Sequence, residues 1–217
     1  MTPEEFQVVR LSLWVAAWAA CLVLPLAVLL GLYLSGPRRP GQAGLETVVM
    51  LPLVLPPVAT GYFLLVLFSP RGWLGRHLAE WGLTVVLDWK GAVLAASLVA
   101  LPLAVQVVKV ALSQVGREWQ EVGEVLGATP WLVFWTVTLP LARRGLIAAW
   151  VLAFARALGE FGATILVAGN IPGLTQTLPS ALYSAIETGH DQAALRLVVL
   201  ACFVAMGALL VVRRMTR

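Results

Sequence analysis

The chain is poor in charge, in histidine and in cysteine, and each shortage closes a class of readings. Only 12% of its 217 residues are charged while 60% are hydrophobic. A soluble helix needs a polar face opposite its apolar stripe, and long stretches here have none. Cys21 and Cys202 each sit inside an apolar run, where a thiol behaves as a small hydrophobe, so no structural disulfide is expected. His77 and His190 lie far apart without metal-ligand spacing and read as solvated loop residues, so no metal site is expected. No G-x-x-x-x-G-K-[ST] run is present to cradle nucleotide phosphates, and no nucleophile, base and orienter fall into a motif. Hence no catalytic residue and no cofactor are expected. The basic residues outnumber the acidic ones by 15 to 11 but form no single patch, which argues against a nucleic-acid partner.

What is present is apolar sequence in lengths suited to a bilayer. Five runs, 11–34, 48–68, 91–112, 145–168 and 193–212, each approach the roughly 20 residues that cross the hydrocarbon core. They predict an all-α fold, a polytopic bundle of five transmembrane helices, with membrane lipid as its solvent. The leader 1–10 is acidic and lacks the basic region and cleavage site of a secretory signal, so the first run is expected to be retained. The longest gaps, 113–144 and 169–192, leave no room for a soluble domain, and the chain reads as a single membrane domain over 1–217.

Five spans place the two termini on opposite sides, and lysine and arginine are retained on the cytoplasmic side. One set of flanks holds Arg38, Arg39, Lys109, Arg117, Arg143, Arg144, Arg213, Arg214 and Arg217; the other holds Arg10, Arg71, Arg76, Lys90 and Arg196. The richer set predicts a cytoplasmic carboxy terminus and 113–144 loop, with the amino terminus outside. Trp73, Trp81 and Trp89 then fall near the outer interface and Trp131 and Trp135 near the inner one, where amphipathic rings are favoured.

The 113–144 loop carries the most local information. Trp119, Val122 and Leu126 share one helical face while Glu118, Glu121 and Glu124 recur every three residues on another. Gly127 then supplies a left-handed stop, and Thr129 with Pro130 supplies an N-cap and first-turn proline for a second helix to about Leu139. A helix, turn and helix of this kind, its apolar face held under the membrane and its acidic face outward, suits docking to another protein.

The run Glu121-Val122-Gly123, three residues, Gly127, nine residues and Val137-Thr138-Leu139-Pro140 resembles the EAA loop of bacterial ABC importer permeases. It departs at Val122 and Gly123, where that family has alanines. Three further stretches are similar to the molybdate permease family: Leu51-Pro52-Leu53-Val54-Leu55-Pro56-Pro57, then Phe154-Ala155-Arg156-Ala157-Leu158-Gly159-Glu160-Phe161-Gly162-Ala163-Thr164, then Ala168-Gly169-Asn170-Ile171-Pro172-Gly173. Together the likeness runs from about residue 11 to 183. It implies a type I ABC importer permease, a homodimer with the path at its interface, working with separate ABC ATPase subunits and an external, periplasmic molybdate-binding protein in a bacterial inner membrane. It also implies that Glu118, Glu121, Glu124, Gly127, Leu139 and Pro140 couple to the ATPase, and that Gly162, Thr164 and Asn170 are candidates for a gate or the path. Sulfate and tungstate permeases are similar relatives, so those oxyanions remain alternative cargoes.

Arg156 and Glu160 stand i, i+4 within the fourth run, where an unpaired charge costs about 2.5–3.5 kcal/mol on insertion scales. They are expected to form a structural or gating ion pair next to the path, with direct contact of Arg156 to the oxyanion, or simple packing, as the alternatives. Ala153 with Ala157 and Ala155 with Gly159 give the small-residue spacing that allows helices to approach closely, here read as a contact between two copies. A small intramembrane enzyme, with Glu160 or Asp88 as its acid, is the alternative from another class. Neither residue has a paired catalytic group in sequence.

Overall fold

In a computed structural model of the chain, the first helix begins on a reciprocal cap. Thr2 Oγ1 accepts from the Glu5 backbone N–H (3.2 Å), the Glu5 carboxylate accepts from the Thr2 N–H (2.8 Å), and Pro3 opens the first turn. Helix α1 (Pro3–Ser35) then runs unbroken through Pro25, about 50 Å at the usual rise, and stops before Gly36 and Pro37. The structure describes residues 2–37, 39–125 and 127–215, without the side chains of Arg117, Gln120, Glu121, Glu124, Val212, Arg213 and Met215. Arg38, Leu126 and Arg217 therefore lie outside the described residues, as do the carboxylates of Glu121 and Glu124.

Among the described residues every regular element is helical. After α1 come α2 (Gln42–Val54), α3 (Pro57–Phe68), α4 (Trp73–Glu80), α5 (Trp89–Ser113) and α6 (Arg117–Val125). Then follow α7 (Pro130–Val133), a π turn (Phe134–Thr138), α8 (Leu139–Leu158), α9 (Gly162–Ala168), α10 (Leu178–Glu187) and α11 (Asp191–Met215). Among the described residues four helical runs are long and apolar enough to cross a membrane, and a fifth if the bent pair α2–α3 counts as one.

The centre is built from α1, α5 and α8, and alanine is the reason they can meet. Ala16, Ala19, Ala20 and Ala27 of α1, Ala92, Ala95, Ala96, Ala100 and Ala104 of α5, and Ala149 and Ala153 of α8 are all fully buried. In lipid there is little hydrophobic gain from joining two apolar helices, so dispersion across such close contacts holds them. Trp14 meets Trp89 near one end, and Gly31 lies against Val108 near the other, so α1 and α5 run parallel. Gly145 lies against Ala111, which makes α8 antiparallel to both. Helix α11 starts beside the start of α1, where Arg196 Nε donates to Glu5 Oε1 at 2.8 Å, and only 6% of its apolar window is buried. Arg10, Arg71, Arg76, Lys90 and Arg196 thus gather at one end of the bundle, and Arg39, Lys109, Arg143, Arg144 and Arg214 at the other.

Two of the expected spans are not single helices. The second, 48–68, is α2 and α3 meeting at 110°. Leu55 precedes Pro56 and is held extended (φ −65°, ψ 142°), and neither Pro56 nor Pro57 has an N–H to continue the ladder. The fourth, 145–168, is displaced: the long helical run is Pro130–Leu158, and 162–168 is the separate helix α9. The chain breaks at Gly159–Phe161. The expected second loop helix ending near Leu139 instead flows through the π turn into α8. Pro140 is the cause, because its ring would clash with the carbonyl four residues back in an α-helix; the wider turn, with Leu139 N–H bonded to Phe134 O, relieves this.

Candidate functional site

At the end of the bundle where α1 and α5 finish, α6 and α7 form a compact elbow. Gly127 turns it with φ +81°, a left-handed conformation that a side chain would strain. Thr129 Oγ1 caps α7 by accepting from the Leu132 N–H at 3.3 Å, and Pro130 occupies the first turn. The two helices touch through Gly123, where a Cβ would lie 2.7 Å from Val133 Cγ2. The glycine that departs from the family's alanine is therefore what lets α6 lie on α7.

The apolar face of α6 was expected to tuck under the membrane helices; Trp119 borders a cavity with Ala111, Leu141 and Gly145, yet it and Val122 stay largely uncovered. Trp119 is 58% exposed and Val122 54%, with Glu118 exposed beside them. These three side chains are left largely uncovered, while Gly123 carries the contact with α7. Leu139 and Pro140 stand apart from the elbow, at the start of α8: Leu139 packs on the central core and Pro140 is exposed. The helices α7 and α8 and the π turn between them form one continuous helical run from Pro130 to Leu158.

A second site lies where that run stops. Arg156 Nη1 is 2.8 Å from Glu160 Oε2, with the arginine side chain 29% exposed and the carboxylate 3%. The other carboxylate oxygen, Oε1, accepts from the Ala163 backbone N–H at 2.9 Å, and Thr164 Oγ1 donates to the Glu160 carbonyl at 3.1 Å. Glu160 thus closes the first turn of α9 while neutralising the arginine at the end of α8. This occupies both oxygens and gives the residue a structural task that needs no acid chemistry. Asp88, the other candidate acid, caps α5 by accepting from the Lys90 N–H at 2.9 Å.

The junction extends to the other broken span. A Cβ on Gly162 would lie 3.0 Å from Pro57 Cβ, and one on Gly61 would lie 2.8 Å from the Ala163 backbone. The first turns of α3 and α9 therefore meet side by side. Beside Gly61, Thr60 is buried with its hydroxyl unpartnered. Sequence reading missed Pro57, Thr60 and Gly61 as parts of this junction, although Leu55-Pro56-Pro57 is a strong break signal. Gly162 and Thr164 belong to it. Asn170 does not: it lies past the end of α9 and donates through Nδ2 to Ser184 Oγ of α10 at 2.6 Å.

The small-residue pairs find a different use from the one expected. Ala153 and Ala157 are buried against this chain's own α1 and α5, and Ala155 and Gly159 line a cavity shared with Ser12, Leu178 and Ala201. Ala153 and Ala157 are thus spent on internal packing, whereas Ala155 is half-buried and Gly159 exposed. Among the described residues no three His, Cys, Asp or Glu side chains gather as metal ligands.

Membrane-length helices, two interrupted spans packed on each other and an amphipathic elbow at one end define a multi-pass membrane protein with the fold of ABC importer permeases. Residues 24–216 match the model of the family described as binding-protein-dependent transport system inner membrane component, and the chain belongs to that family. It is 46% identical over 213 residues to the molybdenum transport system permease protein ModB of Escherichia coli K12, covering 97% of this chain and 93% of that one. It is 42% identical to the protein of the same name from Haemophilus influenzae, covering 95% and 91%. In fold it is similar to a chain of a bacterial alginate ABC transporter solved in complex with an alginate pentasaccharide-bound periplasmic protein. That match has a TM-score of 0.78 at 18% identity, over 100% of this chain and 80% of that one.

Proposed function

We propose that this chain is the membrane-spanning subunit of an ATP-driven molybdate importer. The observation that carries the reading is identity of 46%, sustained over 97% of the chain, to a molybdenum transport permease. On this reading 1–217 is a single membrane domain with no ATP site of its own. It works as a homodimer enclosing the path, receives the oxyanion from a periplasmic binding protein and rests on two separate ATPase subunits. The amino terminus is outside and the carboxy terminus cytoplasmic, since the end of the bundle holding the elbow is also the richer in arginine and lysine.

The elbow supports a mechanism. Its uncovered Trp119 and Val122, flanked by acidic Glu118, Glu121 and Glu124, offer a partner both apolar area and charge. Closure of the ATPase beneath it moves α7, and the unbroken run through Leu139 and Pro140 carries that movement to Arg156. There the ion pair with Glu160 ties the end of α8 to the start of α9, so displacement of α8 shifts Gly162 and Thr164 relative to the other broken span. A break between paired half-helices is a place where a bundle can change shape without unfolding a span. Arg156, its charge balanced by Glu160, sits beside the path as a positioning and gating group. Asn170 lines the outer approach.

The test is to purify the chain with its natural partners and measure ATP hydrolysis with molybdate, tungstate or sulfate supplied on the binding protein. Stimulation by molybdate is expected. Stimulation by sulfate alone reassigns the cargo, and no stimulation by any of them removes the importer reading.

A further inference from the structure

At the end of the bundle where α1 and α5 begin, two cavities share Trp89. One, of about 400 Å³, is lined by Gln7, Arg10, Trp14, Trp89 and Gln176. The other, of about 430 Å³, is a trough between α1, α4 and α5 whose walls include Trp18, Leu22, Phe68, Leu83 and Val93, with Lys90 at its rim. Trp14 stands edge-on to both Trp18 (5.8 Å) and Trp89 (6.3 Å), so three indoles join the two spaces. Trp14, Trp18 and Leu22 are each about half exposed along one stripe of α1. From Arg10 to Leu22 that stripe covers about 18 Å, close to the roughly 15 Å of hydrocarbon in one leaflet.

The charges around this groove are uneven. Arg10 makes no ion pair with any described residue. Lys90 lies 3.8 Å from Asp88, a loose contact to a carboxylate already engaged in capping α5. Two cations against one anion leave a net positive rim, set among tryptophans suited to the headgroup level and opening onto an apolar trough. A docked apolar helix would leave those cations without a counter-charge. An inorganic oxyanion would leave the trough empty and find only exposed donors.

We propose that this groove binds one anionic phospholipid, its phosphate taken by Arg10 and Lys90 with help from the indole N–H groups, and one acyl chain lying along Trp18 and Leu22. Nothing in this assignment depends on the cargo or on which side of the membrane the groove faces. A lipid there would fill space between α1 and α4 and tie α1 to the segment that carries Gln176.

Native mass spectrometry of the complex containing this chain, equilibrated in detergent with dioleoylphosphatidylglycerol or dioleoylphosphatidylethanolamine, reads the proposal directly. One phosphatidylglycerol per chain should be retained in preference to phosphatidylethanolamine. Arg10→Gln should weaken retention about fivefold and Arg10→Gln with Lys90→Gln about thirtyfold, following the contribution of each basic residue at a lipid surface. Leu22→Trp, which fills the trough but keeps both cations, should also lose the lipid. Equal retention of the two lipids overturns the proposal, as does unchanged retention in the double variant. Displacement of the lipid by millimolar sodium phosphate overturns it too, marking a site for an inorganic anion. If the double variant fails to assemble, Leu22→Trp and the lipid preference of the unaltered complex decide.

Discussion

The central helices and the broken ones are joined by different physics. Between α1, α5 and α8 the contact is made by alanines with no polar atoms to satisfy, over helices that continue for 20 residues or more. Between α3 and α9 the contact is glycine against backbone, with an ion pair and a cap where the ladders stop. The first arrangement has many small, interchangeable contacts, and a methyl group more or less can be absorbed by side chains. The second depends on a few positions with backbone on both sides. A protein that must stay assembled while changing shape gains from having both.

The comparison is broken most severely at Gly61. Its added Cβ would lie 2.8 Å from Ala163 Cα and O, atoms that move only if α9 moves. Gly61→Ala should cost about 3 kcal/mol, the upper part of the range for overpacking, despite a helix-propensity gain of about 1 kcal/mol. Thermal denaturation of the purified chain in detergent and its abundance in membranes would read this. A variant as stable as the parent would mean that α3 and α9 are not locked together.

The next largest effect is expected at the ion pair. Removing one partner of a buried pair costs about 3–5 kcal/mol, and the partial exposure of Arg156 reduces that to about 2 kcal/mol here. Glu160→Gln keeps an oxygen to cap Ala163, so it isolates the charge from the cap. Arg156→Gln and Glu160→Gln should each lower stability and molybdate uptake more than the two together. If the double variant is no better than the worse single one, the pair is not what holds the junction.

Hydropathy made the membrane bundle legible, because five apolar runs leave no other solvent for the chain. It could not place the breaks, since a half-helix is as apolar as a whole one. Pro56-Pro57 and the glycines around Glu160 carried that information, and the window average concealed it. The turn at Gly127 and the cap at Thr129 were legible because both are set by local backbone chemistry. The exposure of Trp119 was not, since amphipathicity shows that a face is apolar and not what covers it. Spacing alone brought Arg156 within reach of Glu160, whereas the third partner, Ala163 N–H, became available only because the helix ends at Leu158.

A milder perturbation separates movement from stability. Gly127 has open space around its Cα, so the only obstacle to a side chain is its φ of +81°. Gly127→Val should strain the elbow by about 1–2 kcal/mol, far from the membrane core. Membrane abundance should stay near the parent's, while molybdate transported per ATP hydrolysed falls severalfold in reconstituted vesicles. Normal coupling in that variant would count against the elbow as the transmitting element.

The smallest effect is expected from the same chemical change as the first, made in the other region. At Gly31 an added Cβ would lie 2.7 Å from Val108 Cγ1, the end of a side chain, and 3.4 Å from the nearest backbone atom, Lys109 N. Val108 can give by a small rotation, and the helix gains about 1 kcal/mol from losing a mid-helix glycine. The two contributions should nearly cancel, leaving Gly31→Ala within about 1 kcal/mol of the parent. Adding Val108→Ala should then tell crowding from register: relief of any residual loss places it in that one methyl contact. If Gly31→Ala proves as damaging as Gly61→Ala, the close approach of α1 to α5 is as unyielding as the half-helix junction, and the distinction between the two regions does not hold.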